Sequence, residues 1–136
     1  MSLMAEVLIP GIAEGPVLRL SAPLSFWGGV DPGSAEIVDP RHPQHGRCIA
    51  GTLLLLPGSI GSSSSSSVLL ELIAAGRAPA ALILAEVDAI LALGAVVARE
   101  LGMSPPPVLR LARELQTGFA DGERLRVDRD GRLTRL

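Results

Sequence analysis

The chain has 136 residues, a net charge of −2 and a pI near 5.6. That length suits a single domain, 1–136, with a core of its own. That charge does not suggest nucleic acid or an anionic membrane as an obligate partner. All twelve basic residues are arginine, and seven lie at or after Arg110, which reads as a solvated C-terminal surface.

Cys48 is the only cysteine, so an internal disulfide and a cysteine-rich metal site are both excluded and a cytoplasmic protein is expected. No basic n-region precedes an apolar h-region, so no secretory leader is expected. Mean hydropathy is +0.42 with 48% apolar residues, high for a small domain. A membrane span would have to run through Ala78 to Ala98. Glu86 and Asp88 would then sit in hydrocarbon, at a cost of about 2.5–3.5 kcal/mol for an Asp-like charge. The apolar excess therefore points to a surface covered by a partner protein.

In chain order, "AEVLIPG" reads as a strand ended by Pro10-Gly11, and "EGPVLRLSAPLSFW" as a second strand broken at Pro23. From Gly28 to Gly46 the chain is turn chemistry almost throughout, a length of loop that is often functional. "CIAGTLLLLP" is the strongest strand, and its continuous Leu53–Leu56 run suits burial on both faces. A helix follows, with Val68, Leu69, Leu72 and Ile73 on one face, Glu71 on the other and Gly76 as its stop. "APAALILAE" is strand-like and "AILALGAVVARELG" helix-like, ending at Gly102. "SPPPVLRL" leads into a short strand, and "ARELQTGFADG" holds a short helix or turn. "ERLRVDRDGRLTRL" has the alternation of a hairpin around Asp130-Gly131. The alternation of strands and helices is an α/β pattern, with terminal strands able to wrap it into a barrel-like sheet.

Six consecutive serines, Ser62 to Ser67, follow Gly61. A serine tract by itself reads as a linker. Here it joins a buried-type strand, across a glycine turn, to an amphipathic helix, which is where α/β proteins bind ligands. One serine is explained as an N-cap, but six are not. Ser62, Ser65, Ser66 and Leu69 share a helical face, and Ser66 can be small to let the helix pack closely on its sheet. A Ser–His pairing with His42 or His45 and a serine alkoxide held by the helix N-terminus both remain open, because "GSSSS" lacks the second glycine of a nucleophile elbow.

Three motifs in order, "PLSFWGGVDP", "HPQHG" and "GSSSSSSVL", resemble the small subunit, or swivel domain, of aconitase X enzymes. The likeness runs from about Ala22 to Leu109, and "GERLRVDRDGRL" fits the family's closing strands. It implies a swivelling β/β/α domain, with a barrel-like sheet and flanking helices. It also implies half of a hydro-lyase, active only with a large subunit that carries an iron or iron–sulfur centre, with no cofactor in this chain. The family's catalytic serine follows the glycine of the G-S step, so the resemblance makes Ser62 the base and Gly61, Ser63 and Ser66 its substrate-binding neighbours. Phosphomevalonate relatives tend to read "GSTVGSYV" here. Ser62 and Ser66 coincide with serines of that pattern, while Ser63, Ser64 and Ser65 depart from it. The departure favours a small carboxylate such as cis-3-hydroxy-L-proline, dehydrated to pyrroline-2-carboxylate. Phosphomevalonate dehydration, and a non-catalytic binding module of the same fold, are the alternatives. Gly28, Gly29 and Asp31 are expected to be a structural turn, His42 a satisfied structural histidine, and Cys48 a buried bystander without metal.

Overall fold

The computed structural model describes residues 2–60 and 64–136. The N-terminal extended segment forms two strands rather than the expected one, β1 (Ser2–Met4) and β2 (Glu6–Ile9). Then come β3 (Ala13–Arg19), a short turn α1 (Phe26–Gly29), β4 (Leu53–Leu56), α2 (Ser65–Ala74), β5 (Ala81–Leu84), α3 (Ala89–Glu100), β6 (Val108–Arg110), α4 (Arg113–Gln116), β7 (Arg124–Val127) and β8 (Arg132–Arg135). The strand order is β1-β8-β7-β3-β4-β5-β6-β2.

β3 is the strand on which the fold turns. Its first half, Ala13 to Pro16, pairs antiparallel with β7, and its second half, Val17 to Arg19, pairs parallel with β4. β4, β5 and β6 continue as parallel neighbours. The two ends of the order, β1 and β2, are separated in the chain by Ala5 alone, so the N-terminal segment closes the sheet into a barrel. Closure removes the exposed edges that an open sheet would present. At the join, the Ala5 N–H donates to the Gly131 carbonyl at 2.8 Å. A Cβ at residue 131 would lie 2.4 Å from the Ala5 oxygen, and φ there is +91°, so glycine is required twice over. The expected hairpin is therefore present, and its turn also seats the N-terminal strand.

The four leucines of β4 are fully buried, as the apolar run implies, and they divide by parity. Leu53 and Leu55 join Val17, Ile83, Leu125 and Val127 inside the barrel. Leu54 and Leu56 face Leu69, Leu72, Leu91 and Ala95 of α2 and α3. Each such leucine contributes about 1.5–3 kcal/mol of burial. Barrel wall, parallel sheet and helix layer together make the β/β/α arrangement expected.

Both long helices end where the glycines predicted. Gly76 and Gly102 have φ of +71° and +81°. The bonds Arg77 N to Leu72 O and Met103 N to Ala98 O close the last turns. α2 and α3 pack on each other with very little space. A Cβ on Gly94 would lie 2.6 Å from the Ser66 carbonyl oxygen and 3.3 Å from the Leu69 Cβ.

Candidate functional site

Parallel strands gather their outgoing loops at one edge. The residues after β3, β4, β5 and β6 all leave the carboxyl ends of the sheet, and such edges are where open α/β folds hold ligands. After β4 the chain is held on both sides. The Glu86 N–H donates to the Pro57 carbonyl at 3.0 Å. Leu24 donates to Gly58 O at 3.3 Å and accepts from Ile60 N at 3.1 Å. Gly61, Ser62 and Ser63, three of the four candidate residues, lie outside the described residues. The residues on either side, Ile60 and Ser64, belong to this edge.

The rest of the run is not uniform. Ser64 occupies the N-cap position of α2, yet its side chain makes no capping bond, so the simple capping role does not hold there. Ser65 is fully buried, and its Oγ has no partner among the described residues. Ser66 is half-buried, and its backbone carbonyl is the atom that meets Gly94. At Ser66 the backbone therefore lies close against α3. Ser65 and Leu69, one turn apart, are both buried, as a shared face requires.

Two side-chain arrangements hold the edge, and neither was singled out from the sequence. Asp88 caps α3: its Oδ1 accepts from Ile90 N at 2.9 Å and Leu91 N at 3.1 Å. Its second oxygen, Oδ2, accepts from the Ser59 hydroxyl. Gln116 is fully buried and donates from Nε2 to Leu56 O and Leu111 O, each at 3.1 Å. Its Oε1 accepts from Arg113 Nη1 at 2.9 Å, while Arg113 Nη2 donates to Leu20 O at 3.0 Å. The pair joins the ends of β4 and β6 to the loop after β3. Only the general pattern of a buried amide needing partners could have drawn attention to it.

The Gly28–Gly46 loop packs more tightly than its composition suggested. Val30, Ala35 and Ile37 are buried in the core, and Ala35 holds a left-handed φ of +62°. Asp31 Oδ1 accepts from Gly33 N at 2.9 Å, the turn role expected of it. His42 is buried. Its Nδ1 accepts from Gln44 N at 3.0 Å, so Nε2 carries the proton and donates to Ala22 O at 3.2 Å. Both nitrogens are engaged, as expected of a satisfied histidine. Cys48 is exposed, which corrects the expectation of burial. It sits at the bridge with Glu36, where the neighbouring Ile49 turns inward and Cys48 turns outward.

Beside Ile60 opens a depression of about 580 Å³, lined by Trp27, Gly28, Gly29, Arg41 and Ile60 among others. Gly28 has φ +80°, a left-handed conformation that favours glycine in this turn. Trp27 is 61% exposed and Ile60 57% exposed, an apolar rim on the edge that carries the serine run. Asp39 lies at the same mouth. The Arg41 backbone N–H, at 3.0 Å, and then its guanidinium hold the carboxyl below its ordinary range. Among the described residues, no three His, Cys, Asp or Glu side chains gather as a metal site would need.

A family description for the aconitase X swivel domain matches residues 2–135. The chain belongs to the aconitase X swivel domain family. As a member, it is 48% identical over 135 residues to a cis-3-hydroxy-L-proline dehydratase of Pseudomonas aeruginosa, covering 94% of the chain. The aligned part is 23% of that enzyme, so the chain spans about a quarter of its length. It is 39% identical over 130 residues to a phosphomevalonate dehydratase small subunit of Methanothermobacter thermautotrophicus, covering 96% of the chain and 95% of the relative. This swivel domain also superimposes on the crystal structure of Thermococcus kodakaraensis aconitase X in its holo form. The TM-score is 0.88 at 31% identity, over 100% of this chain and 98% of the other.

Proposed function

We propose that the chain is the small subunit of an aconitase X-type hydro-lyase and that Ser62 is its base, dehydrating cis-3-hydroxy-L-proline to pyrroline-2-carboxylate. The observation that carries this reading is the 48% identity to a dehydratase of that substrate. The chain's own part is to accept the proton next to the substrate carboxylate at Ser62. Gly61, Ser63 and Ser66 bind the substrate at the start of α2. The helix N-terminus favours negative charge there, whether on the carboxylate or on the serine oxygen. The iron or iron–sulfur centre belongs, on this reading, to the large subunit.

Two relatives of nearly equal extent are named small subunits, which supports a large-subunit partner. Exposed Trp27 and Ile60 beside the serine run give that partner an apolar place to close against. No described helix is long and apolar enough to cross a membrane. A cytoplasmic setting, and partners limited to the large subunit and the carboxylate substrate without nucleic acid or membrane, complete the proposal.

Phosphomevalonate dehydration is the second reading. The Methanothermobacter relative supports it through a match along 95% of its length. The test is co-expression with an aconitase X large subunit from the same organism, followed by size-exclusion and assay of both substrates. A stable complex that consumes cis-3-hydroxy-L-proline is the expected result. Turnover of phosphomevalonate alone would transfer the assignment to the second reading, and two separate peaks at micromolar concentration would overturn both.

A further inference from the structure

Asp88 makes more bonds than an N-cap requires. A serine or threonine at that position could accept from the first N–H groups of α3 with one oxygen. Asp88 does this with Oδ1 alone, taking both Ile90 N and Leu91 N. That leaves Oδ2 to accept the Ser59 hydroxyl, on a residue 29 positions away. Ser59 is half-buried and follows the buried Gly58, where a Cβ would stand 3.7 Å from the Glu86 Cβ. Backbone bonds to Leu24 fix Gly58 and Ile60, the neighbours of Ser59. The hydroxyl adds a side-chain anchor between them, two residues before Gly61.

The two loops joined in this way differ in character. The β5–α3 turn is short and ends on a capped helix of 12 residues. The β4–α2 connection carries the serine run. The first therefore supplies a rigid reference for the second. A serine that accepts a proton must stand within hydrogen-bond reach of it, about 2.6–3.2 Å. A misplacement of about 1 Å can cost roughly 10²-fold in rate.

We infer that Ser59 and Asp88 are positioning residues. Their bond sets where the chain leaves β4 for Gly61, and so governs turnover without touching the substrate. The inference rests on the reading of Ser62 as the base.

The test uses the complex with its large subunit, comparing Ser59→Ala, Ser59→Thr and Ser62→Ala. Ser59→Ala breaks the tie and leaves the α3 cap intact. Its kcat should fall roughly 10- to 100-fold, with KM, complex formation and melting temperature near those of the unaltered protein. Ser59→Thr keeps a hydroxyl and should restore most of the loss. Amide hydrogen exchange in the complex should quicken in the segment from Pro57 to Ser66 in Ser59→Ala, and not in α3. Unchanged kcat in Ser59→Ala, beside an inactive Ser62→Ala, would overturn the clasp and leave the base assignment standing. So would a rate loss that tracks the melting temperature, or one that Thr fails to rescue. Full activity of Ser62→Ala would overturn the base assignment itself, and the exchange measurement would then still decide whether the clasp exists.

Discussion

Gly94→Ala pits two opposing effects against each other, and they predict opposite signs. By helix propensity alone, alanine inside α3 should stabilise by about 0.8–1 kcal/mol. The structure argues the reverse. The new Cβ would lie 2.6 Å from the Ser66 carbonyl oxygen, 3.2 Å from the Ser66 Cα and 3.3 Å from the Leu69 Cβ. The first two are backbone atoms and cannot swing aside as the end of a flexible side chain would. Overpacking typically costs about 1–3 kcal/mol, and a backbone obstacle belongs at the upper end. Net destabilisation should be about 1–2 kcal/mol once propensity is subtracted. For a chain of this size that is a fall in Tm of roughly 3–8 °C. α2 must move away from α3 at its first turn, so the start of the helix that follows the serine run shifts with it. Turnover in the assembled complex should therefore fall as well. Thermal unfolding followed by circular dichroism measures the first effect. An unchanged or raised Tm would show that α2 and α3 do not approach as described.

Other substitutions probe the serine run, the sheet edge and the surface. In the assembled complex, Ser62→Ala should lower kcat at least roughly 10²-fold with the complex still forming. Ser64→Ala should cost much less, and near-normal turnover of Ser62→Ala would leave the run as a packing surface. Gln116→Leu fills the same buried space without polar atoms, removing the donor to Leu111 O and the acceptor of Arg113 Nη1. It should destabilise by about 1–3 kcal/mol in urea unfolding, and an unchanged midpoint would contradict the network. The bond from Arg135 to Glu123, then the Ala120 N–H, hold the Glu123 carboxyl below its ordinary range. Its contribution to stability is therefore complete above about pH 4.5 and is lost as pH falls through the lowered native value. Glu123→Gln should remove that acid dependence, as read by melting curves between pH 2 and 6.

Local pattern settled the elements whose partners did not matter. Unbroken Leu53–Leu56 means a strand buried on both faces whatever lies on either side. Gly76 and Gly102 end helices because the left-handed φ there is a backbone property, independent of packing. Asp130-Gly131 turns a hairpin for the same reason. The serine run was legible as the start of a helix after a buried strand, and its motifs carried the family. What the sequence left undecided depends on residues far apart in the chain. The parity that sends Leu53 and Leu55 into the barrel follows from closure by the N-terminal segment, whose break at Ala5 is set by the approach of Gly131. Cys48 was misread because an isolated bridge, unlike a strand, gives no periodicity to tell inside from outside. Ser59 reaches Asp88 across 29 positions, and Gln116 reaches Leu56 across 60. Such bonds are specified by the geometry of the sheet edge, since only there do loops from different strands come within the 3 Å or so that a hydrogen bond spans.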